Sequence, residues 1–217
     1  MTNENNPFLT EHHTPHGTFP FHLLQTAHFE PAMQQGMEAH DREIDAIIND
    51  PAVPNFDNTI VALEKSGALL NQVTTVFGNL LSAETSDELQ EIAERVMPKL
   101  SEHSNNITLN EALFARIKQV YDSTDREAMN TEDRMLLQTT YDGFIRSGAN
   151  LNPEQKERFR QLSSELSVLT LRFSQNNLKE TNSYELPLQP DQLAGLPESA
   201  LNLEPLVIML KSVRAGE

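Results

Sequence analysis

Apolar side chains recur three and four residues apart along most of this chain of 217 residues, the spacing that places them on one face of an α-helix. The pattern predicts a first helix from about Pro31 to Asn49, ended by Asp50-Pro51 because the residue before proline avoids the helical region. It predicts a second helix from about Asp57 to Ser82. Gly67 lies on the apolar stripe of that helix and indicates close helix packing there.

Two capping boxes mark the next helix starts. Thr85 to Glu88 and Thr108 to Glu111 each place a threonine three residues before a glutamate, so that each side chain can bond the other's backbone amide. The first box opens a helix that Pro98 must kink or split, because proline lacks an amide hydrogen. The second box opens a short helix that reaches Tyr121.

Two further helices follow. One runs from about Thr131 to Arg146, with Gly148 as its C-terminal cap, and its apolar positions are Met135, Leu136, Tyr141, Phe144 and Ile145. The last begins at Asn152-Pro153, an N-cap followed by proline, and reaches about Glu180. Its apolar residues alternate three and four apart in a seam typical of coiled coils: Phe159, Leu162, Leu166, Leu169 and Phe173.

Residues 1–28 differ from the rest, because prolines and Gly17 interrupt every candidate helix. Phe8, Phe19 and Phe21 are too apolar for a free tail, so we expect an extended arm packed against the remainder. The whole pattern predicts an all-α fold, a set of antiparallel helical hairpins or a bundle of five to seven helices.

Composition narrows the classes of function. Lys and Arg number 16 against 32 Asp and Glu, a formal charge of -16, which argues against binding to nucleic acid or to an anionic membrane. The absence of cysteine excludes disulfides, thiolate zinc sites and cysteine nucleophiles. With neither a secretory signal nor an apolar run of about 20 residues, the expected compartment is the cytoplasm.

Histidine is the first candidate for chemistry. His12, His13 and His16 share the arm with a His-x-x-His spacing, but nothing preorganises them for a metal, so a solvated or packing role is favoured. His40 lies on the apolar face of the first helix and is predicted to be a satisfied interior histidine. The acids of His40-Asp-Arg-Glu43 have no second histidine beside them and are interpreted as a solvated rim.

No recognised catalytic motif occurs in the sequence. The zinc-peptidase motif His-Glu-x-x-His is absent, as are glycine-rich phosphate loops and the Gly-x-Ser-x-Gly elbow. The acids between Glu84 and Glu94 fit solvated helix faces. We therefore assign no catalytic, cofactor-binding or metal residue.

Five segments, in order, nevertheless resemble the N-terminal helical region of bacterial peptidyl-dipeptidases (dipeptidyl carboxypeptidases), which group with oligopeptidase A and thimet oligopeptidase among zinc metallopeptidases. The match covers residues 6 to about 200. Its segments are Asn6 to Leu9, His28 to Ala32, Pro54 to Gly67, Leu109 to Ile117 and Ser147 to Leu151.

This resemblance implies an all-α domain that forms one wall of a deep channel over a catalytic half. That half supplies His-Glu-x-x-His and a glutamate ligand to zinc, and no position here matches those ligands. The implied role is to restrict access to short, unfolded peptides. Zinc, short peptides and the missing catalytic half are thus implied for the full-length family, and this chain alone is expected to be inactive.

The resemblance also suggests three regions: an arm at 1–28, the helical domain at 29–200 and an atypical tail at 201–217. The sequence of the tail does not match the helix that the resemblance implies at this position. We hypothesise a shifted reading frame after about Ala200. The reading frame downstream in the gene tests this hypothesis.

Two other functions stay open. The chain can instead be a stand-alone helical interaction or scaffold protein, which should present a mostly polar surface with a bounded groove. A severed domain should leave an apolar face uncovered and can form homo-oligomers through it. The weaker third hypothesis is an independent enzyme that uses the N-terminal histidines.

Overall fold

The computed structural model describes residues 6–184 and residue 195, and all regular secondary structure among them is helical. The prediction of an all-α fold is confirmed. The chain divides into two compact units, Met1–Val168 and Leu169–Glu217. The tail at 201–217, with its proposed frame shift, lies outside the described residues.

The helices are numbered in chain order after three short 3₁₀ turns in the arm. They are α1 (Phe29–Ile48), α2 (Ala62–Lys65), α3 (Ala68–Ala83), α4 (Asp87–Thr108), α5 (Glu111–Ser123), α6 (Thr131–Arg146) and α7 (Pro153–Ser183). A π-helical segment, Phe56–Val61, leads directly into α2.

The predicted second helix is divided in the structure, and the prediction of one continuous helix is wrong. The chain ends α2 at Lys65, turns at Ser66 and Gly67, and begins α3 at Ala68. Gly67 has φ of 70°, a left-handed conformation that only glycine adopts at low cost. The apolar spacing continues across the break, which is why periodicity alone did not reveal it.

Both predicted capping boxes are also wrong by one or two residues. Ser86 caps α4, its Oγ accepting from the amide of Leu89 at 3.3 Å, whereas the buried hydroxyl of Thr85 has no described partner. Asn110 caps α5, its Oδ1 accepting from the amide of Leu113 at 3.0 Å. Thr108 belongs to the last turn of α4, because that helix continues past Pro98 without splitting.

The predicted end of α6 and the predicted start of α7 are confirmed. Gly148, with φ of 89°, follows α6, and its amide donates to the carbonyl of Ile145 at 3.1 Å. The next amide, of Ala149, donates to the carbonyl of Phe144 at 3.0 Å, which completes a Schellman cap. Asn152 then caps α7, its Oδ1 accepting from the amide of Gln155 at 2.9 Å.

The arm packs on the start of α1, as predicted. Asn6 is buried and its Nδ2 donates to the carbonyl of His28 at 2.8 Å. The Phe8 ring stacks on Phe19 with centroids 4.6 Å apart and lies 5.5 Å from the Phe29 ring. Phe29 in turn meets Phe77 of α3 edge to face at 5.0 Å, so the arm joins the core between α1 and α3.

A second part of the core joins the C-terminal half of α1 to α5 and α6. Its fully buried side chains include Ile60, Leu113, Ile117, Val120 and Leu137. Leu137 was not among the predicted apolar positions of α6, whereas the predicted Met135 is 58% exposed. The other predicted positions, Leu136, Tyr141, Phe144 and Ile145, are buried or packed against this core, so Met135 alone was misassigned.

The predicted seam of α7 is largely uncovered by described residues. In the first unit, Leu162 is 47% and Leu166 is 64% exposed. In the second unit, Leu169 is 59% and Phe173 is 75% exposed. The start of α7 is anchored instead by Lys156, which is buried and donates to the carbonyl of Leu109 at 3.3 Å and to Glu111 at 3.0 Å.

Candidate functional site

A polar centre lies inside the first unit where α1, α4 and the turn between α2 and α3 meet. His40 of α1 faces this turn closely: a Cβ at Gly67 would lie 2.9 Å from both Cε1 and Nδ1 of the imidazole. The glycine thus serves both the left-handed turn and the approach of the ring. The predicted close packing at Gly67 is confirmed, and its partner is a histidine.

Four side chains form a continuous chain of polar contacts in this centre. Nδ1 of His103, a buried residue of α4, lies 3.3 Å from a carboxylate oxygen of Asp41. Its Nε2 lies 3.1 Å from Nδ1 of His40. The Nε2 of His40 lies 3.2 Å from the hydroxyl of Ser66, which also lies 2.7 Å from the carbonyl of Leu63.

Proton counting allows two arrangements that satisfy the three contacts from Asp41 to Ser66, and one of them also leaves the serine proton for the carbonyl of Leu63. With both imidazoles neutral, Ser66 donates to His40, His40 donates to His103, and His103 donates to Asp41. With one added proton the two inner bonds reverse, and the serine hydroxyl donates to Leu63 instead. A second proton would place two N–H groups against each other across 3.1 Å and break the bond between the histidines.

The surroundings hold His40 towards its neutral form. Burial lowers the pKa of His40, the neighbouring His103 lowers it further, and the carboxylates of Glu43 and Asp41 oppose this in part. The prediction of a satisfied interior histidine is confirmed, because both ring nitrogens have partners.

Stability is therefore expected to fall in mild acid. Since the pKa of His40 is lower in the folded chain, the unfolded chain binds more protons below pH of about 6.5, and the free energy of unfolding decreases as pH falls through that value. Urea unfolding between about pH 7.5 and about pH 5.5, where carboxylates stay ionised, measures this. His40→Gln should flatten the profile, and His13→Gln in the exposed part of the arm should not; equal profiles would contradict the assignment.

The two acids of His40 to Glu43 are exposed, as expected for a solvated rim, and each also bonds inward. Asp41 contacts His103, as described above. Glu43 reaches the turn, where its Oε2 accepts from the amide of Gly67 at 2.7 Å. That amide precedes the first turn of α3, so the carboxylate of α1 also faces the positive end of the α3 dipole. Only the folded chain brings these residues together, since Gly67 follows Glu43 by 24 positions.

A cavity of about 680 Å³ opens beside this centre. Its wall includes His40, Ser66 and Gly67 on one side, and Leu100, His103 and Thr108 of α4 on the other. Because the contacts above already use all four imidazole nitrogens, the histidines serve to join α1 to α4 rather than to present a free ligand.

A second concavity, a groove of about 700 Å³, lies between α4 and the first part of α7. Polar residues dominate its wall, among them Lys99, Glu102 and Asn105 of α4 and Arg160 and Glu165 of α7. Arg160 crosses one end, its Nη1 donating to Oδ1 of Asn106 at 2.6 Å. Sequence reasoning missed this groove, because no motif marks the pairing of the two helices.

The arm histidines do not come together as a metal site. His12 packs edge to face on Phe19 with centroids 5.8 Å apart, while His13 and His16 are exposed. Across the described part of the chain, no group of three or more His, Asp or Glu side chains is placed to hold a metal ion. The described residues therefore do not fit a zinc ion. The acids from Glu84 to Glu94 lie on exposed helix faces, as predicted.

None of the described helices has the length and apolar character needed to cross a membrane. No family model matches the chain. Individual proteins do match it. The dipeptidyl carboxypeptidase of Escherichia coli is 36% identical over 199 residues, which is 91% of this chain and 29% of that protein.

Other relatives match in the same way. The dipeptidyl carboxypeptidase of Salmonella typhimurium is 37% identical over 192 residues, covering 88% of this chain and 28% of that protein. Oligopeptidase A of Escherichia coli is 27% identical over 197 residues, or 90% of this chain and 28% of the relative. The resemblance inferred from the five segments is confirmed, and the chain is a homologue of bacterial dipeptidyl carboxypeptidases that spans less than a third of their length.

Proposed function

We propose that this chain is the N-terminal, channel-wall part of a zinc metallopeptidase that releases C-terminal dipeptides from short peptides. The observation that carries the proposal is the coverage: similarity extends over 91% of this chain but only 29% of the Escherichia coli dipeptidyl carboxypeptidase. The all-helical fold agrees with the wall domain that the resemblance implies. In this role the domain restricts access to short, unfolded peptides in the cytoplasm.

The reaction itself is assigned to a catalytic half outside this sequence. The chain lacks His-Glu-x-x-His, and its described residues do not assemble a set of zinc ligands. No catalytic step is therefore assigned to the side chains of this chain. Its partners are that catalytic half and the peptides that pass the wall.

The purified chain is expected to release no dipeptide from a blocked model peptide, with or without added zinc. Mass spectrometry of the products measures this, with the Escherichia coli dipeptidyl carboxypeptidase as the positive control. Release of C-terminal dipeptides by the chain alone would contradict the proposal.

A chimera tests the domain role directly. In the Escherichia coli enzyme, the 199 aligned residues are replaced by those of this chain. We expect the chimera to keep dipeptide release, because a homologous wall should dock on the same catalytic half. A matched deletion variant of the enzyme, lacking the segment altogether, should lose activity. A folded but inactive chimera would argue against this role.

The uncovered apolar side chains favour this proposal over a stand-alone scaffold. Each unit exposes large apolar residues of α7, Leu166 at 64% in the first and Phe173 at 75% in the second. A protein evolved to act alone would cover such residues or limit them to one bounded site. The isolated chain can also self-associate through them.

A further inference from the structure

The groove between α4 and α7 contains a buried amide with no described partner. Asn105 is 7% exposed, and its side chain makes no hydrogen bond with any described residue. Its backbone carbonyl accepts from the amide of Leu109 at 3.0 Å. The amide atoms are not sealed from solvent and lie in the groove wall, so this side chain is suited to a ligand that supplies a partner.

The chemistry of the amide limits the ligand. An asparagine side chain presents one carbonyl acceptor and one NH₂ donor side by side. A peptide group carries the complementary N–H and C=O, and an extended segment exposes both. Asn105 can therefore pair with the main chain of an extended peptide, whatever the side chains of that peptide are.

The charges of the groove favour one class of side chain on a bound peptide. The groove has two cations: Lys99 pairs with Glu30 at 3.3 Å, and Arg160 donates to the neutral amide of Asn106 at 2.6 Å. The carboxylates of Glu102 and Glu165 make no ion pair or hydrogen bond within the described part of the chain. The wall carries three carboxylates, Glu102, Glu157 and Glu165, against Lys99 and Arg160, so its net charge is negative and attracts a basic side chain.

We propose that this groove binds an extended peptide segment that carries a basic side chain, with Asn105 pairing with a peptide group and Glu102 and Glu165 facing the cation. The proposal rests on the proposed function in one respect, that short peptides reach this face of the wall. It names the peptide class that the wall would retain.

Titration calorimetry on the intact chain tests the proposal with two blocked tetrapeptides, acetyl-Ala-Arg-Ala-Ala-amide and its Glu counterpart. We expect the basic peptide to bind and the acidic one not to bind. Asn105→Leu should weaken binding about tenfold, the effect of losing one or two hydrogen bonds in a desolvated site. Asn79→Leu, on an exposed face of α3, is the matched control and should bind as the wild type does.

One further double variant and a stability measurement separate the parts of the site. Glu102→Gln with Glu165→Gln should remove the preference for the basic peptide and the salt dependence of its binding. Asn105→Leu should leave the free energy of unfolding unchanged or raised, because no hydrogen bond is lost in the free chain. A clear loss of stability would show that the amide already has a partner and would overturn the proposal.

The outcomes are distinguishable from those of the chimera. No binding of the basic peptide, or binding that neither set of variants changes, would overturn the groove proposal even if the chimera is active. Binding that depends on Asn105 would support the groove even if the chimera fails, since the titration requires no catalytic half.

Discussion

Replacing Gly67 with alanine is expected to lower the free energy of unfolding by about 2–4 kcal/mol. The residue has φ of 70°, where a side chain costs about 1–2 kcal/mol. The added Cβ would also lie 2.9 Å from two atoms of the His40 ring. The ring cannot withdraw without losing its contacts to His103 and Ser66, so both costs apply together.

Gly78→Ala is the control for this prediction. Gly78 lies within α3, and a Cβ there meets nothing within 4 Å. Alanine should raise stability by up to about 1 kcal/mol, because glycine is a poor helix former. Urea unfolding of the two variants measures the difference. Equal changes at the two positions would contradict the assigned roles of the turn and of the histidine contact.

Replacing Phe29 with alanine is expected to cost about 3–5 kcal/mol, the range for a buried phenylalanine. Phe29 is 1% exposed, and its ring contacts Phe77 on α3 and Phe8 in the arm, at 5.0 and 5.5 Å. The change therefore leaves a cavity between α1 and α3 and removes the surface on which the arm packs. We expect protease cleavage in residues 10–25 to become faster as well.

Phe21→Ala provides the matched control, since Phe21 is 56% exposed in the same arm. Its removal should change stability by no more than about 0.5 kcal/mol, the usual range for surface sites. Similar losses for the two variants would show that the arm, and not the core beneath it, dominates stability. Unchanged cleavage in Phe29→Ala would show that the arm is held elsewhere.

Most helices could be predicted from the sequence because the residues that start, end and orient them lie within or beside each helix. The span of α6 followed from apolar spacing, and the start of α7 from Asn152-Pro153, with each signal within a few residues of its effect. The caps of α4 and α5 were misplaced because serine or asparagine competed with the threonine of each box. Such neighbours differ by tenths of a kcal/mol, and tertiary packing decides between them.

The break at Gly67 was beyond local reasoning for a different reason. A glycine on an apolar stripe fits either close packing inside a helix or a left-handed turn, and the same residue here serves both purposes. The turn is favoured by Glu43 of α1, whose carboxylate accepts a hydrogen bond from the amide of Gly67. A sequence window around Gly67 does not contain that carboxylate.

By itself, the sequence determined the helical class, the packed arm, the absence of a His-Glu-x-x-His motif and the likeness to dipeptidyl carboxypeptidases. These follow from short-range spacing, composition and ordered segments. Only the tertiary structure decided that His40 meets His103, 63 residues away, that α6 turns Leu137 inward, and that Asn105 lines a groove without a described partner. Such contacts depend on how helices distant in the chain approach and rotate against one another, and neither the distance nor the rotation is encoded in the spacing of any one helix.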